Sequence, residues 1–438
     1  MIVSLMIVIQ QRDTVVFITA NSASGINTAV IRSIILKMPD RWLHLGGLFR
    51  QVSLGRISHF IILLYGKALI KRMTSLYTNV SNSPRIEIDL AKIYRNTKRL
   101  KDMFLAKGIS MMGVTKGVLG SPPVATAMTA AGVQFIADSR IENIQKIQKA
   151  DIKNTFVLIR TPPMSKIKQV VKYADISLNS ELDVIQQLSE EARAQNKIHG
   201  IILMVDLGDL REGILPEDME QTLDAISTFK GVKTFGIGTN LGCVGAILPD
   251  QEKMDELSGI AVTLENRFGL HFDLISGGSS ANYQWVTKTD RLGRINNLRI
   301  GEMIFTGRNT LDYAPVEHLE KNTICLVAEV IEIKQKDSLP HGTASTDAFG
   351  DVPVFSDRGT IRRAIIGIGR QDVLIQGLSP IGKMEIIGSS SDHVVIDLKE
   401  DTVRVGDQIR FHLTYGAQLS AMTSPYIEKI YLNECKYG

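Results

Sequence analysis

Residues 109–142 read ISMMGVTKGVLGSPPVATAMTAAGVQFIADSRIE, and this stretch decides the fold. A short apolar strand near 109–114 runs into Thr115 and Lys116, a helix follows, and a second strand lies near 132–137. Ser139-Arg-Ile-Glu142 then has the spacing of a capping box, a hydroxyl and a carboxylate placed to answer orphan N–H groups of the next helix. The same rhythm continues outward, with strands near 154–160, 175–179, 200–206, 234–240, 271–276 and 299–305 separated by amphipathic segments. Eight strands alternating with helices over about 200 residues predict an α/β fold, a (β/α)8 TIM-like barrel; a doubly wound open sheet shares that periodicity.

On the amino-terminal side, Arg85–Leu90 alternates apolar and polar, and Leu90, Ile93, Tyr94, Leu100, Met103 and Phe104 fall at helical spacing. Beyond Tyr313 the helical pattern stops. Val327–Ile333, Ala364–Gly369, Val394–Leu398 and Gln408–Leu413 read as short strands punctuated by Gly and Pro, a mostly β second domain. The expected organisation is a barrel over 84–312 followed by a C-terminal β domain over 313–438.

Residues 1–83 differ from the rest. They hold nine Lys or Arg against only Asp13 and Asp40, whereas the remainder holds 41 basic and 44 acidic groups. The apolar runs Ile2–Ile9 and Phe60–Tyr65 fall short of the roughly 20 residues a spanning helix needs. This basic leader resembles an organellar transit segment in composition, or is an over-long start with Met73 as the working first residue. Either way it is expected outside the fold. A near-neutral body excludes a nucleic-acid binder, and no membrane association is expected of it. Cys243, Cys325 and Cys435 are scattered without ligand spacing, which argues against a disulfide framework or structural zinc and for a reducing, cytoplasmic setting.

In a barrel enzyme the chemistry gathers where the strands end. Those ends offer Val114-Thr-Lys116, Asp138-Ser-Arg140, Arg160, Asp206 to Arg211, Gly238-Thr-Asn240, Ser276-Gly-Gly-Ser-Ser280 and Arg299-Ile-Gly301-Glu302. A lysine just past a buried strand end is either solvated, paired with a carboxylate, or desolvated towards a neutral nucleophilic amine. Ser276–Ser280 offers N–H groups and hydroxyls with no bulky side chain to block an anion.

Together these positions, from Arg85 to about Leu432, resemble the fold-type III pyridoxal-phosphate enzymes typified by alanine racemase, and most of all their alanine/ornithine racemase branch. Val114-Thr-Lys116 is similar to the segment whose lysine forms a Schiff base with the cofactor. Asp206-x-Gly208-x-x-Arg211-x-Gly213 resembles the DTGMxRxG segment, which makes Arg211 a substrate-carboxylate ligand. Arg299-Ile-Gly301-Glu302 resembles the start of RPGxxLYG, so Arg299 is expected at the pyridine nitrogen and Gly301 and Glu302 at the phosphate. Ser279-Ser280-Ala281 stands where the family has Asn-Ser-Ala on the phosphate, and Tyr415 where it has a phosphate-binding tyrosine. Ser391-Asp392-His393 opens a run similar to MDQxMVDL, whose first residues reach the partner subunit's site and place Asp392 at the substrate.

The resemblance implies pyridoxal 5'-phosphate as cofactor, an amino acid as substrate, and a head-to-tail homodimer. Racemisation requires acid/base groups on both faces of Cα: Lys116 serves one. The other is a partner tyrosine in the family, and that position reads here as about Phe349, which moves no proton; Asp347 is the expected replacement, with Asp351, His341 or a water as alternatives. Other departures are Gly120 for a tyrosine, Met204 for a lysine carbamylated in some members, and Asn240 for the histidine that packs on the ring. A lyase or decarboxylase of the same fold type, or a barrel-only cofactor carrier, are the alternative functions. Asp392-His393 lacks a second ligand two residues on, where Val395 stands, so no metal is expected. Cys243 reads as a buried structural cysteine ahead of a reactive one. Asp206, Asp209, Glu212 and Glu302 would suit the side-chain amine of ornithine or lysine, or would pair with Arg211 and Arg299.

Overall fold

The alternating segment forms strand β1 (Arg85–Asp89), and the helical spacing after it forms α1 (Leu90–Leu105). Asp89 caps that helix, its carboxylate accepting from Lys92 N at 3.0 Å. The structure is a computed structural model and describes residues 83–343 and 345–433. The basic leader (save Ser83), Met73 and Cys435 therefore lie outside the described residues.

The barrel follows as β2 (Ser110–Val114), α2 (Pro122–Ala130), β3 (Phe135–Asp138), α3 (Ile141–Gln148), β4 (Thr155–Leu158), α4 (Ile167–Tyr173) and β5 (Ile176–Asn179). It continues as α5 (Leu182–Ala194), β6 (His199–Met204), α6 (Met219–Ser227), β7 (Val232–Gly238), α7 (Gln251–Phe268), β8 (Leu274–Ser276), α8 (Tyr283–Lys288), β9 (Asn297–Ile300) and α9 (Glu302–Thr306). Strands β2 to β9 are parallel and close on themselves, β9 pairing back to β2. The choice between barrel and open sheet is thus settled by closure. Side chains alternate as the pleat demands. Met112, Val114, Leu178, Ile202 and Met204 point into the barrel, while Met111, Ile201 and Leu203 pack outward against the helices.

After the barrel come β10 (Ile324–Asp337), β11 (Thr360–Ile366), β12 (Leu378–Pro380), β13 (Glu385–Ser389), β14 (Val394–Asp397), β15 (Gln408–Leu413), α10 (Tyr415–Thr423) and β16 (Glu428–Leu432). Their sheet runs β12-β15-β10-β11-β14-β13, and β1 joins it, antiparallel to β10 and parallel to β16. The chain's first described strand therefore belongs with the last domain, although the sequence boundaries put it with the barrel.

Three local expectations give way. The run 299–305 is not one strand: β9 ends at Ile300, Gly301 breaks it, and Met303, Ile304 and Phe305 are buried on α9. Helices do not vanish after Tyr313, because α10 buries Ala417, Gln418, Ala421 and Met422, with Thr414 as its N-cap. The capping box at Ser139–Glu142 does not form. Arg140 is the N-cap residue of α3 and gives no side-chain cap; its N–H and the Asn143 amide both donate to Asp138 Oδ1, each at 2.9 Å. A buried carboxylate that collects these donors leaves Ser139 free to face the barrel mouth.

Candidate active site

At the carboxyl ends of the strands lies a cavity of about 650 Å³, within the range of small-molecule sites. Lys116, Arg211, Asn240, Ser279, Ser280, Arg299, Gly301, Glu302 and Tyr415 all line it, each expected from the sequence. Ser139, Arg160, Cys243, Thr310 and Tyr313 line it as well.

Lys116 opens a short 3₁₀ turn after β2. Burial lowers its pKa, and the nearby Arg211 and Arg299 guanidinium groups lower it further, against weaker opposition from Cys243 and Asp138. The amine is thereby moved towards its neutral, proton-accepting form. The turn is held from the β domain: Gln418 on α10 donates to Gly117 O at 2.8 Å. A Cβ at Gly117 would come within 3.1 Å of the Tyr415 ring and 3.0 Å of the Gln418 amide. A side chain at 117 would press on both groups, and glycine leaves α10 room to bring Tyr415 to the cavity.

Arg299 stands on β9, 5% exposed, in a cradle of polar atoms. It donates to Ser276 Oγ at 2.6 Å and to Thr239 O at 2.8 Å, with Asn240 Oδ1 at 3.5 Å. Ser276 in turn donates to Asn297 Oδ1 at 2.8 Å. Burial and the neighbouring Arg211 bring Arg299 down to about 10, so it stays charged at neutral pH. Asn240, where the family has its ring-packing histidine, is tied to this arginine.

Arg211 reaches the cavity from the loop after β6. Both its Nε and Nη2 donate to the Glu212 carboxylate, and Nη1 donates to Cys243 Sγ at 3.3 Å. Burial works against its charge, but Glu212 and Cys243 outweigh it and hold the group protonated. These two partners do the orienting for which Met204, fully buried inside the barrel, has no polar atom. Cys243 is an exposed free thiol rather than a buried structural one. Its loop is pinned from below by Asp209, 1% exposed, whose two oxygens accept from Cys243 N and Val244 N at 3.1 Å each.

The corner opposite carries anion-binding groups. Ser279 and Asn282 close a capping box at a 3₁₀ turn, with Ser279 N donating to Asn282 Oδ1 at 3.0 Å. Gly278 lies at φ +143°, and a Cβ there would meet Asn282 Oδ1 at 2.2 Å. Ser280 Oγ faces the N–H groups of Gly301 and Met303 at 3.4 and 3.5 Å. The Thr310 hydroxyl in the cavity wall is buried without a hydrogen-bond partner among the described residues, an orphan that a ligand oxygen would satisfy. A lysine at one end, an arginine cradled in the floor, and hydroxyls and amides at a third point are the donor set that pyridoxal 5'-phosphate takes at its aldehyde, ring nitrogen and phosphate. The residues present fit that group.

Residues 88–309 match the family described as alanine racemase, N-terminal domain. The ornithine racemase of Acetoanaerobium sticklandii is 38% identical over 350 residues, covering 79% of this chain and 99% of that one. The chain belongs to the alanine racemase family. A second family member, the lysine racemase of Thermotoga maritima, is 39% identical, covering 80% of this chain and 98% of that one. Among solved alanine racemases, that of Streptomyces lavendulae superposes with a TM-score of 0.61 at 18% identity over 80% of this chain and 97% of its own. The family's barrel-plus-β-domain fold is therefore common to both.

Asp347 and Asp392, expected at the racemase site, do not line this chain's cavity. They meet elsewhere, on one patch of the β domain organised by Arg370. Its guanidinium lies 3.5 Å from Asp347, 3.3 Å from Asp351 and 4.0 Å from the centre of the Phe349 ring. Its Nε donates to Ser389 Oγ and its backbone N to Ser390 O, at 3.1 and 3.0 Å. Ser390 and Ser391 hydroxyls then donate to Asp392, each at 3.1 Å. The backbone N–H groups of Phe349 and Asp351, with Arg370, hold the Asp347 carboxyl below its ordinary range. Sequence reasoning missed Tyr313, Thr310 and Gln418. No motif marks them; each reaches the site only through the way its loop or helix docks.

Proposed function

We propose that the protein is a pyridoxal-phosphate-dependent racemase of basic amino acids. The observation that carries this reading is Lys116, a desolvated amine that shares a cavity with the Arg211 and Arg299 guanidinium groups and a set of anion-binding hydroxyls and amides. Its support is membership of the alanine racemase family and the names of its ornithine and lysine racemase relatives.

When bound, the cofactor draws the electron pair left at Cα into its ring and so acidifies the Cα–H bond. Lys116 would hold the aldehyde end, and its amine would accept or return the Cα proton on one face. Arg299, kept charged in its cradle of Ser276 and Thr239, would present a donor to the ring nitrogen and so keep that nitrogen unprotonated. This restrains charge withdrawal and disfavours transamination. Arg211 carries the substrate carboxylate, oriented by Glu212 and Cys243. Ser280, the backbone N–H groups of Gly301 and Glu302, and Tyr415 would hold the phosphate, with Ser279 shaping that turn and Asn240 beside the ring.

The opposite face is served across a head-to-tail homodimer, in which the β-domain patch of one subunit covers the cavity of the other. There Asp347 accepts the Cα proton as a carboxylate and returns it once protonated, with Asp392 beside the substrate. Incubating single enantiomers of ornithine, lysine and alanine in D2O tests the reaction: Cα deuteration with inversion and no loss of ammonia or carboxyl is expected. Keto acid or amine products would assign a lyase. Lys116→Ala should abolish both exchange and the visible absorbance of bound cofactor, and Asp347→Asn should remove exchange from one enantiomer only.

A further inference from the structure

Of the carboxylates at the barrel mouth, Asp138 is taken up by Thr115, Arg140 N and Asn143, and four others are separated by their surroundings. Asp206 is a turn former: its Oδ1 accepts from Gly208 N at 2.9 Å and from Leu210 N at 3.3 Å. Asp209 is buried beneath the 240–247 loop with both oxygens taken by backbone N–H groups. Glu212 spends both oxygens on Arg211. Glu302 alone of the four lines the cavity without a guanidinium partner. Tyr313 and Lys116 are its polar neighbours in the cavity, and both favour its charged form. Lys116 is the amine that the cofactor would engage, so a loaded site leaves Glu302 short of positive charge.

From this elimination we propose that Glu302 is the specificity-determining residue of the site, its carboxylate receiving the side-chain ammonium of a basic amino acid with Tyr313 as its second partner. This rests on the racemase reading above and deepens it. The same cavity supplies the apolar surface that the methylenes of such a side chain need, from Val114, Ile159, Leu178 and Leu241. The position is also consistent with a carboxyl waiting for a cation. Burial raises it to about 7, against the opposing pull of Tyr313 and Lys116; Tyr415 and Tyr313 are raised chiefly by their own burial, with Glu302 adding to both. A half-buried acid with no fixed counter-ion is costly to the fold unless a ligand answers it. An alanine-type substrate has nothing to answer it with.

Ornithine and norvaline test the assignment, because they differ by the terminal ammonium on a side chain of equal carbon count. The purified, cofactor-loaded protein should prefer ornithine, and Glu302→Gln should reduce the ornithine-to-norvaline ratio of kcat/KM by about 50-fold, carried by KM, as expected for loss of a buried charge-assisted hydrogen bond. Glu302→Asp should recover part of that ratio. A binding readout stands beside turnover: ornithine should raise the melting temperature more than norvaline does in the parent, and by the same amount as norvaline in Glu302→Gln. A ratio within about threefold of the parent in Glu302→Gln overturns the assignment. A parent that exchanges the Cα hydrogen of both compounds with no preference overturns it while leaving the racemase standing. A parent that exchanges neither sinks both.

Discussion

The two ends of the barrel treat their polar groups in opposite ways. At the amino end, His199 at the start of β6 is 2% exposed and meets Ser177 Oγ at 2.8 Å. Asn297 at the start of β9 likewise donates to Ser110 Oγ at 2.9 Å. Burial lowers His199 to about 4, so it stays neutral and closed on itself. At the carboxyl end Lys116, Arg211, Arg299 and Glu302 are left charged or poised around an open cavity, with lysine lowered and glutamate raised. The difference teaches which polar groups the fold needs and which it tolerates. Stability is built at one end and strain is kept for a ligand at the other.

Substitution at the carboxyl end should break activity first. Arg299→Lys keeps the charge but cannot reach Ser276 and Thr239 with one fork, and Cα exchange should fall about 10³-fold. An exchange rate within a few-fold of the parent would place Arg299 outside the chemistry. The amino end should answer only in stability. Native His199 stays neutral down to about 4, whereas the unfolded side chain takes a proton below 6.5. The unfolded state therefore binds more protons, and about 3 kcal/mol present above pH 6.5 is lost as pH falls towards 4. His199→Asn should flatten that part of a melting-temperature profile without altering Cα exchange.

The smallest effect carries the opposite sign. Glu302 keeps its proton up to about 7 when folded, against 4.5 as its ordinary value. Here the folded state binds more protons, so stability is lost as pH rises through that window, by about 1–2 kcal/mol after allowance for its partial exposure. Melting the ligand-free protein between pH 4.5 and 7 should show this loss in the parent and not in Glu302→Gln. Lys116, Tyr313 and Tyr415 are the titratable groups that face it. If both ends sloped the same way with pH, the contrast between them would fail.

Much of this was legible in advance because strand ends are local. Lys116 and Arg211 follow barrel strands, Arg299 sits near the end of one, Tyr415 follows an alternating strand of the β domain, and each lines the cavity. The misread elements were those whose pattern is ambiguous without a third dimension. The run Arg299 to Phe305 is apolar enough for either strand or helix, and Gly301 decides between them through its backbone, at φ −135° and ψ −71°. Helix α10 is rich in small residues and carries no clear apolar stripe, so its sequence gave no warning that Gln418 and Tyr415 would pack on Gly117. Cys243 was misjudged because burial of a cysteine is the general habit, whereas here buried Asp209 lifts its loop into the cavity mouth.

By itself the sequence determined the alternation of strand and helix, the change to β structure after the barrel, and the set of side chains delivered to one rim. These depend on short-range periodicity, and period is written residue by residue. Tertiary structure decided closure, the return of β1 to the β domain, and which charge pairs with which. Arg211 takes Glu212, Asp209 takes two backbone N–H groups, and Glu302 is left facing the cavity with Tyr313 and Lys116. Apart from Arg211 and Glu212, which are neighbours in the chain, those outcomes depend on distances between residues separated in sequence and on burial, which sets the cost of a charge, and neither is encoded at any single position.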